Sequence, residues 1–122
     1  TMNAKTLMGK MKEHDAKAYL VNTGCNGTGR RISLKDTRAI IDAILDESID
    51  KAQTQTIPVM NLEFPSSLPD VSEGILDPRS TYANASDWET KARNLATRYI
   101  KNFEQYCNTE EGKALIPAGP QL

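Results

Sequence analysis

Apolar residues recur at helical spacing in three stretches of the chain and alternate with polar ones in a fourth. Ala4, Leu7, Met8 and Met11 stand at i, i+3, i+4 and i+7, which predicts a short amphipathic helix over 3–13 with its Met stripe in the core. Gly9 weakens that helix slightly. Leu34, Thr37, Ile40, Ile41, Ile44 and Leu45 line one face of a second helix over 34–46, and Arg38, Asp42 and Asp46 occupy the other. Ser33 is placed to cap it, with Asp36 three residues on as a shorter version of the capping-box carboxylate. Trp88, Ala92, Leu95, Ala96, Tyr99, Phe103 and Tyr106 form the stripe of a third helix over 87–106. Ser86-Asp-Trp-Glu89 is a full capping box at its start, and the helix should be roughly 30 Å long.

Strand signals are shorter. Ala18-Tyr-Leu-Val-Asn22 is apolar, ends just before Gly24, and predicts a buried strand. Gln53 to Ile57 alternates weakly; Met60, Leu62 and Phe64 alternate more clearly. Together they predict one or two short strands interrupted at Pro58. Pro65 to Ala85 carries Pro65, Pro69, Pro78 and Gly74 and predicts a long irregular segment, with Asp77-Pro-Arg79 as a turn whose arginine pairs locally. Such length is uncommon inside a compact domain unless the segment wraps a larger body or serves function. A short turn at 110–115 and a tail over 117–122 close the chain. The fold class is mixed α/β: a few strands flanked by three helices.

Composition narrows the function. The chain has 122 residues, enough for one domain or a piece of one. Its 15 basic and 16 acidic side chains leave a net charge of −1, which gives no electrostatic footprint for nucleic acid or a membrane surface. No apolar run approaches the ~20 residues of a membrane span. Cys25 and Cys107 lie far apart, show no metal-ligand spacing, and are read as free thiols of a reducing cytosol. His14, the only histidine, adjoins Glu13 and Asp15 at a helix end, where consecutive residues cannot converge on one ion. Thr1-Met2 runs straight into a helical pattern and is read as a cut end.

The glycine loop carries the chemistry. Strand, glycine-rich turn and helix is a phosphate-binding layout, because loop and helix N-terminus both present backbone N–H groups. Gly24-Cys-Asn-Gly-Thr-Gly29 supplies GxxxxG, but Arg30 and Arg31 follow where a P-loop has Lys and Ser or Thr. No hydroxyl is there for Mg²⁺ and no lysine for the terminal phosphates. The arginines can still pair with phosphate oxygens or stack on a purine; otherwise they are solvated or bonded to carboxylates. Cys25 lies near two arginines, which favour a thiolate, but no base accompanies it and a nucleophile is not indicated.

With its neighbours, the loop resembles a known family. Tyr19-Leu-Val-Asn-Thr-Gly-Cys-Asn-Gly-Thr-Gly-Arg-Arg-Ile-Ser33, then Thr37-Arg-Ala-Ile-Ile-Asp-Ala-Ile-Leu45, is similar to the signature run of bacterial-type ATP-dependent phosphoenolpyruvate carboxykinases. Ile75-Leu-Asp-Pro-Arg-Ser-Thr-Tyr82, Ser86-Asp-Trp-Glu89 with its helix, and Ala118-Gly-Pro-Gln-Leu122 resemble later stretches of the same family. Cys25 stands where the family usually has Trp, and Arg30 where it usually has Lys.

The resemblance implies that residues 1–122 are the C-terminal segment of the nucleotide-binding domain. It implies an enzyme that turns oxaloacetate and ATP into phosphoenolpyruvate, ADP and CO₂ in gluconeogenesis, in the cytoplasm, with Mg²⁺ and Mn²⁺. Arg31, Ile32 and Thr37 match the family's contacts to adenosine. The catalytic and metal-binding residues of the family precede this region, so the segment alone is expected to be inactive. Oxaloacetate would be held by residues outside this chain, the full-length enzyme is expected to be monomeric, and the segment's exposed apolar faces favour self-association. Two other readings of the residues stand beside it: an autonomous module binding a nucleotide or anion at 23–31, and a helical interaction domain.

Overall fold

A computed structural model describes residues 2–122. It contains five α-helices and one two-stranded antiparallel sheet: α1 Met2–Glu13, α2 Leu34–Leu45, α3 Ser48–Lys51, β1 Thr54–Ile57, β2 Leu62–Pro65, α4 Ala85–Phe103 and α5 Glu110–Ala114. The mixed α/β class holds, and the three long helices fall where the periodicity puts them. Two short helices, α3 and α5, join them, and 3₁₀ turns lie at Pro78–Thr81, Glu104–Tyr106 and Ile116–Ala118.

The hairpin follows its alternation. Thr54 pairs with Pro65 and Ile57 with Leu62, and Pro58 stands in the turn, where its missing N–H costs no ladder bond. Val59 and Asn61 both take positive φ there, 69° and 56°. Asn tolerates this region; a β-branched residue does so at a cost. The C-terminal tail holds the turn in place: Gln121 N donates to Val59 O at 2.8 Å, and Asn61 Nδ2 donates to Pro117 O at 3.1 Å. The core is small. Ile57, Trp88 and Ala92 are buried together, with Val59, Met60, Phe64 and Tyr82 packed around them, so the first half of α4 lies against the hairpin.

Several expected features differ. Residues 18–22 form no strand, and Leu20 is 92% exposed. A strand needs a neighbouring edge, and residues 18–22 pair with neither outer edge of the β1–β2 hairpin. Instead Lys17 and Tyr19 hold this stretch to α3 through Asp50, at 2.8 and 2.6 Å. The stripe of α1 is not core: none of its residues is buried, and Met11 alone is half-buried. On α2 the buried positions are Asp36 and Ala43, whereas Leu34 and Leu45 of the apolar face are exposed. On α4 the stripe holds at Trp88, Ala92 and Ala96 but opens at Leu95 and Tyr99. Asn84, not Ser86, is the N-cap of α4, so the Ser86–Glu89 box does not form and Ser86 sits inside the first turn.

The surface reflects these open faces. The chain exposes 9363 Å². A compact folded chain of 13.5 kDa exposes about 6,500 Å². Among the described residues no helix is long and apolar enough to cross a membrane.

Candidate functional site

The glycine loop is a tight hairpin. Ile32 N donates to Gly24 O at 2.9 Å and Asn26 N to Arg30 O at 3.0 Å, bracketing Cys25 and Arg31 as a facing pair. The turn closes with Gly29 N on Asn26 O at 3.0 Å, and Gly29 takes a φ of +78° that favours glycine. Asn26 also accepts the Thr28 amide at 3.0 Å, an Asx-type turn.

This arrangement uses the amides that a phosphate would need. Gly24 N goes to the Asn22 side chain, Gly27 N to Thr81 Oγ1, and Arg30 N to Thr28 Oγ1. A nest for an anion requires successive amides pointing together into open space. Here the amides of Gly24, Gly27 and Arg30, like those of Asn26, Thr28 and Gly29, have partners within the protein, which disfavours a triphosphate cradle in the loop.

The hairpin runs directly into α2. Ser33 Oγ accepts the Asp36 amide at 3.0 Å, as its N-cap role predicts. Asp36 does not complete the box by reaching back to the backbone of Ser33. Its carboxylate takes the Ser33 hydroxyl at 2.8 Å and the Ser72 amide at 2.8 Å. The Ser72 amide foremost, then the Ser72 and Ser33 hydroxyls, holds this carboxyl below the usual aspartate range.

Arg31 is exposed, and its Nε donates to Thr23 O at 3.2 Å, which folds the side chain along the loop. Ile32 is half-buried; with its amide on Gly24 O, its carbonyl is the backbone group it can offer a ligand. Thr37 is half-buried one turn into α2. Arg31 and Ile32 thus sit at the joint between hairpin and helix, with Thr37 beyond it. One shallow cleft lies along α2 at Lys35, Arg38 and Asp42, and another along α4 at Leu95, Arg98 and Tyr99. Arg79 is committed elsewhere, with two nitrogens on the Asp77 carboxylate at 2.9 and 3.0 Å, as its local turn predicts. That partner holds Asp77 below its ordinary range. Cys25 is exposed and Cys107 half-buried, both free.

Sequence reasoning missed the groups that hold the site. Thr81 and Tyr82 press on Gly27 so closely that a Cβ there would collide with the Tyr82 ring. Ser72 fixes Asp36 across the long irregular segment. The signal was the central glycine of the loop, whose need for space points to a neighbour but not to which one.

The structural class is a mixed α/β segment in which a self-satisfied glycine hairpin feeds a capped helix. Within that class the chain belongs to the ATP-dependent phosphoenolpyruvate carboxykinase family: the family model described as phosphoenolpyruvate carboxykinase matches residues 1–74. The match takes in α1, the glycine hairpin, α2 and the β-hairpin, and with them Arg31, Ile32 and Thr37. It ends before Ile75-Leu-Asp-Pro-Arg-Ser-Thr-Tyr82.

Proposed function

We propose that this chain is the C-terminal segment of the nucleotide-binding domain of a phosphoenolpyruvate carboxykinase and forms the adenosine side of its ATP site. The reaction is conversion of oxaloacetate and ATP to phosphoenolpyruvate, ADP and CO₂, a step of gluconeogenesis in the cytoplasm. The observation that carries the reading is the family match across 1–74, which spans the hairpin and the start of α2. Two features support it. The loop's satisfied amides suit a wall beside the nucleoside better than a cradle for its phosphates. The surface left open, well above that of a compact chain of this mass, suits a segment that packs against more protein.

In this reading Arg31 lies against the purine with its guanidinium plane, a geometry lysine cannot supply. Ile32 offers its carbonyl, and the Thr37 hydroxyl donates or accepts at the base edge or ribose. In this reading the divalent metal is held by residues outside this chain; among the described residues no group of three or more His, Cys, Asp or Glu is placed to bind one. Phosphoryl transfer depends on positioning and metal-assisted charge stabilisation, and the isolated segment is therefore inactive.

The test is Arg31→Ala in the full-length carboxykinase. KM for ATP should rise about tenfold, in keeping with loss of a charged, stacked contact. An unchanged KM for ATP would sink the adenosine-side assignment. Phosphoenolpyruvate formation by the purified 122-residue chain would sink the inactivity of the segment.

A further inference from the structure

The glycine hairpin is a lever with one free end unless something holds its tip. Its base, Gly24 and Ile32, continues into Ser33 and α2. Its two arms are tied by the Gly24–Ile32 and Asn26–Arg30 bonds, so it moves as one piece. Its tip is Gly27 to Gly29. The tip is held from outside by the irregular segment that follows β2: Thr81 Oγ1 accepts Gly27 N at 2.8 Å, and the Tyr82 ring lies over the same glycine.

Thr81 is itself fixed. It stands at the end of the Pro78–Thr81 turn, whose first carbonyl receives the Thr81 hydroxyl proton at 3.1 Å. That donation orients the oxygen so that a lone pair faces Gly27. The turn is anchored by Asp77, which takes the Arg79 amide at 3.0 Å, and by Ser80 Oγ, which donates to Asp77 O at 2.7 Å. Tyr82 packs onto the Ile57–Trp88–Ala92 core. A second clasp from the same segment, Ser72 N on Asp36 Oδ1, fixes the other side of the joint at α2.

We propose that Thr81 is a positioning residue for the nucleotide wall. Through the Gly27 amide it stops the hairpin from pivoting about its Gly24–Ile32 base, and so sets the placement of Arg31 on the opposite arm. The proposal rests on the adenosine-side reading of Arg31. Thr81 touches no nucleotide in this account; its effect reaches ATP through Gly27 and the arms of the hairpin.

The experiment is steady-state kinetics of the full-length carboxykinase carrying these residues. Thr81→Val keeps the shape and removes the acceptor. It should raise KM for ATP roughly fivefold, the scale of one lost hydrogen bond, with kcat within about twofold and KM for oxaloacetate unchanged. Thr81→Ala, which only removes atoms, should do the same, and Thr81→Ser should restore the parent value. An unchanged KM for ATP in both Thr81→Val and Thr81→Ala overturns the proposal. So does a KM for oxaloacetate that rises in step with that for ATP, or a Thr81→Ser enzyme as impaired as Thr81→Val. Arg31→Ala separates the two layers. If it raises KM for ATP while the Thr81 variants do not, the clasp fails and the wall stands; if it has no effect, the wall fails and the clasp falls with it.

Discussion

Helices α2 and α4 carry similar amphipathic patterns but meet different fates. In α4 the stripe is used: Trp88, Ala92 and Ala96 are buried, the first two against the β-hairpin. In α2 the apolar face reaches only half-burial at Thr37, Ile40 and Ile44 and is open at Leu34, Ile41 and Leu45, and the buried positions are Asp36, where Ser72 docks, and Ala43. Periodicity tells which face of a helix is apolar. How fully that face is covered depends on a partner elsewhere, and here α4 buries part of its stripe against the β-hairpin while α2 buries none of its apolar stripe fully.

The largest test of that contrast is Trp88→Ala. Removing the biggest member of a three-residue core should cost about 3–5 kcal/mol, read as a loss of urea midpoint by far-UV circular dichroism. A loss below about 1 kcal/mol would mean that the α4–hairpin contact is not what holds the chain.

Asp36 gives a smaller effect with a pH signature. Its folded pKa is depressed by the Ser72 amide and the serine hydroxyls, so it stabilises the fold above the ordinary aspartate value. That contribution fades as the pH falls below that value and through the depressed one. Asp36→Asn should lower stability at pH 7 by about 1–2 kcal/mol and flatten the acid limb of the stability curve. An acid limb that keeps its slope would show that Asp36 is not the group responsible.

The smallest effect is expected on the open face. Leu34→Ser and Leu45→Ser, at 72% and 75% exposure in the parent, should each change stability by less than about 0.5 kcal/mol in this chain. The same substitutions should reduce any self-association seen by sedimentation, since they remove apolar patches. A large loss of stability would show the face to be packed already, and the contrast with α4 would disappear.

What the sequence disclosed follows the range of each interaction. Ser33 as a cap, the strand break at Pro58 and the Asp77–Arg79 pair depend on residues a few positions apart, and all three are found. The cap of α4 was misplaced by two residues because Asn84 and Ser86 are both cap-forming types, and the chain enters the helix at the first. Residues 18–22 have strand composition, but a strand exists only with a partner edge, which composition does not report. At the candidate site, the glycines and arginines were legible as a motif. The Gly27–Thr81 and Asp36–Ser72 contacts span 54 and 36 positions, and nothing in the local pattern links them.

Gly27 carries one more consequence, for how the loop tolerates change. In a mutational scan, loops are where replacements are usually absorbed and glycines inside helices are where they are usually felt. This chain should invert that order. Alanine at Gly27 meets the Tyr82 ring and the Thr81 hydroxyl, whereas alanine at Gly9, inside α1, meets open space. A library selected for folding should therefore be more permissive at Gly9 than at Gly27, and this one position of an otherwise exposed loop should read like a piece of the interior.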